Sequence, residues 1–177
     1  MSYRRLPHSY ATGEPIFVTF RVYGSLPVGR SFPKENMTSG EAFVAMDRLP
    51  DTARFGPIYL ARPEVAGLVR GCIQHCAAGC EMHAWVIMPN HLHLLFTPHG
   101  DVSELLRRLN GYSAREVNKL LGRTGQPFWQ DESYDHLVRN REEFRRIERY
   151  IVDNPVKAGL VQCAEEFAWS SISKTQD

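Results

Sequence analysis

His91 and His93 are separated by a single residue inside the apolar run from Ala84 to Phe96. On a β-strand successive side chains alternate faces, so both imidazoles project to one side while Leu92 points into the opposite layer. Two aligned imidazoles at a spacing fixed by one strand make a plausible half of a metal site, because imidazole is a common ligand. The same pattern also describes two surface histidines on a half-buried strand. His-x-His alone does not separate the two readings.

The residues that bear on the choice lie near the C-terminus, in Arg149-Tyr150-Ile151-Val152-Asp153-Asn154-Pro155-Val156-Lys157. Phe144, Ile147 and Ile151 recur at helical spacing among charged residues, which predicts a helix over 141–153 that stops at Asn154-Pro155. Tyr150 and Asn154 are then one turn apart. A tyrosine beside a further polar ligand, joined to a His-x-His strand elsewhere, is the outline of a metal-assisted tyrosine nucleophile. Taken alone, Tyr150 reads more readily as a packed helix aromatic.

The elements that must position these groups follow from patterning. Residues 15–23 alternate Ile16, Val18, Phe20 and Val22 against Phe17, Thr19 and Arg21, a strand with apolar bulk on both faces and therefore a central one. From Gly24 to Pro57 turn formers punctuate the chain, which predicts an irregular insertion at about 24–60 with room for one short helix at 41–48. Pro63 opens a helix expected to run to about residue 78, with Gly79 ending it. Strands at about 81–88 and 91–97 flank Pro89-Asn90 as a hairpin. A helix over 102–121 follows, capped by Asp101 or Ser103 and closed at Gly122. The segment 125–140 is rich in aromatics and turn formers and is left irregular. The order strand, helix, strand, strand, helix predicts an α+β sandwich with an antiparallel sheet.

Composition agrees with one compact domain over 1–177: 177 residues at 43% hydrophobic content suffice for a sizeable core. A net charge of +1 decides nothing about nucleic acid, so distribution matters. Arg107, Arg108, Arg115, Lys119 and Arg123 against Glu116 form a local basic patch, whereas 139–149 mixes both signs; a solvated helix face explains either. Cys72, Cys76 and Cys80 sit four apart along a helix and its exit, with Cys163 far away, and read as reduced core thiols. A zinc site from Cys72, His75 and Cys76 is the alternative, though it lacks tight Cys-x-x-Cys pairs. No N-terminal signal pattern and no long apolar span is present, so a cytoplasmic protein without a membrane partner is expected.

Several separated blocks carry a further signal: Phe17-Val18-Thr19-Phe20-Arg21 with Gly24-Ser25-Leu26-Pro27, His83 through His93, Gly111-Tyr112-Ser113-Ala114-Arg115, Gly125 through Gln130, Tyr134-Asp135-His136, and Tyr150 through Lys157. In these blocks, from about Ile16 to Ser171, the chain resembles the REP-associated tyrosine transposases of the single-tyrosine HUH endonuclease superfamily. The resemblance implies a ferredoxin-like or RRM-like fold, metal ligands at His91, His93 and Asn154, and a nucleophile at Tyr150. It further implies Mg2+ or Mn2+ as cofactor, although imidazole-rich sites on general grounds favour zinc or other late transition metals. The expected reaction is cleavage and transfer of single-stranded DNA through a 5′-phosphotyrosine, on hairpins of repetitive extragenic palindromes. Tyrosine's ordinary pKa is about 10, so the phenol needs a proton acceptor or a nearby cation's field. His136 is a candidate base or, more simply, a residue that orients the chain by hydrogen bonding.

Tyr112, Arg115, Phe128 and Trp129 are candidates to hold unstacked bases or the backbone, with core or loop packing the ordinary alternative for Phe128 and Trp129. Two rival classes remain: a non-catalytic single-stranded nucleic-acid-binding protein, and a metal-dependent phosphoesterase that uses water as nucleophile. Related single-tyrosine transposases form dimers that exchange tyrosine helices, whereas REP-associated relatives can act as monomers. The long stretch between His93 and Tyr150 is enough to return the tyrosine helix to its own sheet, so a monomer is expected, with the helix-exchanged dimer the alternative.

Overall fold

The structure, a computed structural model, describes residues 13–25, 56–131 and 133–174. Most of the expected insertion, including the helix expected at 41–48, lies outside the described residues.

Four strands form one antiparallel sheet in the order β2-β3-β1-β4, with β1 at Ile16–Arg21, β2 at Cys80–Met88, β3 at His91–Pro98 and β4 at Tyr134–Leu137. β1 and β3 are the central pair, as their two-sided apolar patterning requires. β2 and β3 are joined by the tight Pro89-Asn90 turn. At His83 the β2 register shifts by one residue. This bulge sends Met82 to one side of the sheet and Ala84 to the other, where simple alternation would have put them together. The outer edge of β2 is covered by the C-terminal segment: Ile87 N–H donates to Trp169 O at 2.8 Å and Ser171 N–H to Trp85 O at 2.9 Å.

Among the described residues three helices cover the sheet. Helix α1 (Pro63–Cys76) and helix α2 (Val102–Leu120) share one face with Ile16, Val18, Phe20, Leu92, Leu94 and Phe96. Asp101 caps α2, its carboxylate accepting from Glu104 N–H at 3.0 Å. Helix α3 (Arg141–Lys157) lies on the opposite face, where Ile147 and Ile151 pack with Phe17, Val86, Met88 and Leu95. The architecture is the expected α+β sandwich, with two differences from the sequence reading. Residues 134–137 of the segment read as irregular form the edge strand β4. Helix α3 also runs through Asn154-Pro155 to Lys157. Proline removes only the hydrogen bond its own N–H would have donated to residue 151, so close to the end that the helix continues. Gly159, at φ +67°, then closes it in the left-handed conformation.

Cys72 and Cys80 are buried and free, and burial pushes both thiols up to about 11, as expected for inert core residues. The alternative zinc site at Cys72, His75 and Cys76 is not formed: no group of three or more His, Cys, Asp or Glu able to hold a metal occurs among the described residues.

Candidate active site

Alternation and register put Thr19, Arg21, His91 and His93 on the α3 side of the sheet, at the end where β1 finishes and β3 begins. His93 pairs with Thr19, and His91 with Arg21. The imidazoles are 3% and 1% exposed, with ring centroids 4.7 Å apart. Each is held by a buried neighbour through Nδ1: Asn90 Oδ1 lies 2.7 Å from His91 Nδ1, and Thr19 Oγ1 lies 2.8 Å from His93 Nδ1. An amide oxygen only accepts, so the His91 proton is on Nδ1 and Nε2 keeps its lone pair. His93 Nε2 is buried and has no hydrogen-bond partner among the described residues. Burial, His93 and Arg21 push the His91 pKa well below its ordinary value, and burial and Arg21 lower His93 to about 3. Both rings are therefore neutral, the form in which imidazole ligates a metal.

Helix α3 brings the third component. The Tyr150 ring stands 5.4 Å from the His93 ring and 6.2 Å from Phe17, nearly perpendicular to the latter. On the same helix the Lys157 ammonium lies 5.2 Å from the Tyr150 ring centroid, a cation–π contact that restrains the ring. Asn154 follows Tyr150 by one turn and is buried. His91, His93 and Tyr150, from distant parts of the sequence, thus come together where α3 crosses the polar end of the sheet, with Asn154 one turn further along the helix.

The other candidates are placed elsewhere. His136 Nε2 is 3.0 Å from Glu143 Oε1, and Glu143 Oε2 accepts from Arg139 N–H at 2.8 Å. This pair ties β4 to the first turn of α3. Phe128 and Trp129 are 2% and 5% exposed and pack in the core under α2, with the Trp129 indole N–H donating to Ser113 Oγ at 2.9 Å. Both side chains are thus packed as the alternative of core packing describes. Tyr112 is exposed, with the Arg115 guanidinium 5.3 Å from its ring, on the outer side of α2 and therefore across the sheet from Tyr150. Three residues of the site were not singled out from sequence. Thr19 and Arg21 entered only as polar residues at alternate positions of a strand and within a block shared with the resembling family, and Asn90 as a turn residue within another such block.

Residues 63–154, just over half of the chain, match the family described as Transposase IS200 like, and the chain belongs to that family. A REP-associated tyrosine transposase of Escherichia coli is 30% identical over 99 residues, covering 53% of this chain and 55% of that protein. The chain thus spans about half the length of this relative. Among solved structures, a REP-associated tyrosine transposase bound to a REP hairpin superposes with a TM-score of 0.58 at 23% identity, covering 97% of this chain and 82% of the other. That likeness establishes the fold. No helix among the described residues is long and apolar enough to cross a membrane.

Proposed function

We propose that the chain is a metal-dependent endonuclease and strand transferase for single-stranded DNA, with Tyr150 as nucleophile and His91, His93 and Asn154 as metal ligands. One observation carries this reading: the Tyr150 ring packs 5.4 Å from a buried imidazole whose Nε2 has no partner among the described residues. A buried orphan nitrogen is costly unless something binds it. Two neutral imidazoles and an amide oxygen fit a divalent cation that keeps positions for water and phosphate. Family membership favours Mg2+ or Mn2+ over zinc. When bound, such an ion supplies Lewis-acid polarisation of a phosphate oxygen.

The protein's own groups do the rest. Asn90 and Thr19 fix the imidazole orientations. Phe17 and Lys157 restrain the Tyr150 ring. The phenolic oxygen forms a bond to phosphorus as the P–O3′ bond breaks. The phenol gives up its proton, the departing 3′-oxygen takes one, and a 5′-phosphotyrosine remains. One phosphodiester replaces another, so the bond energy is kept for rejoining to a second strand. Hairpin DNA is the proposed substrate, supported by the family and by the REP hairpin bound to the structural relative. The proposed setting is the cytoplasm, and the proposed unit is a monomer in which Tyr150 serves its own histidines.

Labelled stem-loops taken from DNA flanking the gene test the reaction. The wild-type chain is expected to give a protein–DNA adduct that survives denaturing electrophoresis, and Tyr150→Phe to bind but give neither cut nor adduct. An adduct retained in Tyr150→Phe removes Tyr150 from the role. Cleavage without an adduct points to water as nucleophile, and binding alone to a non-catalytic module. Mixing a His91→Ala/His93→Ala chain with a Tyr150→Phe chain tests the monomer: recovered cleavage would indicate shared, helix-exchanged sites.

A further inference from the structure

The polar stripe of β1 runs from the interior of the molecule to its surface. Thr19 and Arg21 are buried, while Tyr23, two residues further on, is 47% exposed. Val22 packs with the α1–α2 core, so alternation places Tyr23 on the side of Thr19 and Arg21. Arg21 pairs with His91 in the register, and Val22 N–H donates to Asn90 O at 2.9 Å. Two residues of extended chain span about 7 Å, so Tyr23 stands just beyond the end of β1 that faces His91. A single exposed tyrosine is ordinary, but the backbone of this one is unusually well fastened. Ser25 N–H donates to Val22 O at 3.0 Å, which closes a four-residue turn, and Gly24 at its third position has φ +80°. No non-glycine residue among those described has a positive φ, so the turn is of type II, which favours glycine there. Tyr23 N–H donates to Phe128 O at 2.8 Å and Gly24 N–H to Gln130 Oε1 at 3.3 Å. Four consecutive N–H groups, from Val22 to Ser25, are thus engaged, while the ring they carry is half open to solvent. An aromatic face held in place costs little entropy to use, and the bases of single-stranded DNA stack on such faces.

We propose that Tyr23 is the stacking platform for an unpaired base next to the scissile phosphodiester, steadying the strand where it enters the site of His91, His93 and Tyr150. The inference rests on the function proposed above and adds to it a contact with the base beside the cut. Stacking reads the presence of a base and not its hydrogen-bonding edge, so any of the four bases serves at that position.

The test is the affinity of the full chain for the same flanking stem-loops, end-labelled and read by fluorescence anisotropy in chelator so that no cleavage intervenes. Each nucleotide of the single-stranded flank is replaced in turn by an abasic residue. Tyr23→Ala is expected to weaken binding of the intact DNA about tenfold, the scale of one stacked base. Tyr23→Leu, apolar but without a flat face, is expected to lose nearly as much, whereas Tyr23→Phe and Tyr23→Trp stay within about twofold of wild type or bind more tightly. At one abasic position, within two nucleotides of the cut mapped by the covalent adduct, wild type and Tyr23→Ala are expected to bind alike. Tyr23→Phe keeps the packing of the ring and serves as the folding control. Equal affinity of Tyr23→Ala and wild type for intact DNA, or a tenfold gap that persists at every abasic position, overturns the proposal. A coupled base further than two nucleotides from the cut also overturns it, because the platform would then not lie beside the site. Failure of the function proposed above is read separately: a wild-type chain that shows the coupled base but forms no adduct keeps the stacking contact and loses the chemistry, and one that binds none of these DNAs loses both.

Discussion

The two faces of this sheet are made from alternate residues of the same strands, yet they are finished differently. On the side of α1 and α2, Ile16, Val18, Phe20, Leu92, Leu94 and Phe96 form a continuous apolar layer closed by two helices. On the other side the layer begins in the same way, with Phe17 and Leu95 under Ile147 and Ile151, and then changes character. Towards the β1–β3 end it becomes Thr19, Arg21, His91 and His93, on the side of α3. These four are as buried as the leucines behind them, so the chain bears the desolvation of polar groups on one face while the other supplies stability. At this end of the sheet apolar packing and the candidate site are thus separated by parity of residue number along β1 and β3, and substitutions at adjacent positions there should fail in different ways.

The largest expected effect falls on the polar face. His91→Ala or His93→Ala should lower DNA cleavage by at least about a thousandfold and abolish Mn2+ binding, and a chelator should do the same to the intact chain until Mg2+ or Mn2+ is returned. Thermal unfolding should change little, because each imidazole is buried at a solvation cost that alanine removes. Asn154→Ala should lose less, since water replaces one weak oxygen ligand more easily than an imidazole. Full cleavage in metal-free solution would contradict this side of the comparison.

Leu94, next in sequence to His93 and 1% exposed, tests the other side. Leu94→Ala should cost about 2–5 kcal/mol in denaturant unfolding, the usual price of a cavity in a closed apolar layer. Mn2+ affinity measured where the variant is still folded should stay within about twofold of wild type, on the scale of well-separated effects. A large loss of metal affinity would show that the two faces are not separable.

A finer distinction is made by Thr19→Val, nearly the same shape without the hydroxyl. It removes the partner of His93 Nδ1 at 2.8 Å and should weaken Mn2+ binding about 10- to 100-fold, the range for neighbours that orient a metal ligand. Unfolding free energy should shift by about 1 kcal/mol, one buried hydrogen bond. Unchanged metal affinity would mean that the packing around His93 suffices to orient it.

How much of this was legible depended on whether a feature is local. The alternation of 15–23, the Pro63 helix start and the hairpin at Pro89-Asn90 are set by neighbours in sequence and were read with small boundary errors. Strand β4 was missed because four residues, Tyr134-Asp135-His136-Leu137, are too short to display a period and carry two ionisable groups. The end of α3 was misjudged because proline usually stops a helix, and only the closure at Gly159 reveals that one missing bond is tolerated there. His91, His93, Tyr150 and Asn154 were assembled from resemblance, since nothing local says which helix lands on which strand. Thr19 and Asn90 meet the imidazoles only through strand pairing and burial, which no sequence spacing encodes.

The smallest predicted effect concerns the clamp that sets the start of α3 and, through it, the seat of Tyr150. Burial raises the Glu143 pKa, but the Arg139 N–H, the His136 ring and the charges of His136 and Arg146 outweigh it and leave the carboxyl below its ordinary value. A group whose folded pKa is depressed stabilises the fold above its unfolded pKa and loses that contribution as pH falls through the folded value. Glu143→Gln keeps the size and one acceptor, so it should cost only about 1 kcal/mol at neutral pH. The deficit should shrink as pH falls below the ordinary carboxylate range, because the wild-type chain then loses the same charge. Urea midpoints of the two chains from neutral to acidic pH check this, and cleavage at neutral pH should fall no more than severalfold if the clamp only seats the helix. A deficit independent of pH would assign the clamp to shape and hydrogen bonding alone, and a loss of cleavage as large as that of His93→Ala would put Glu143 in the chemistry and erase the distinction between the anchored start of α3 and the end that carries Tyr150.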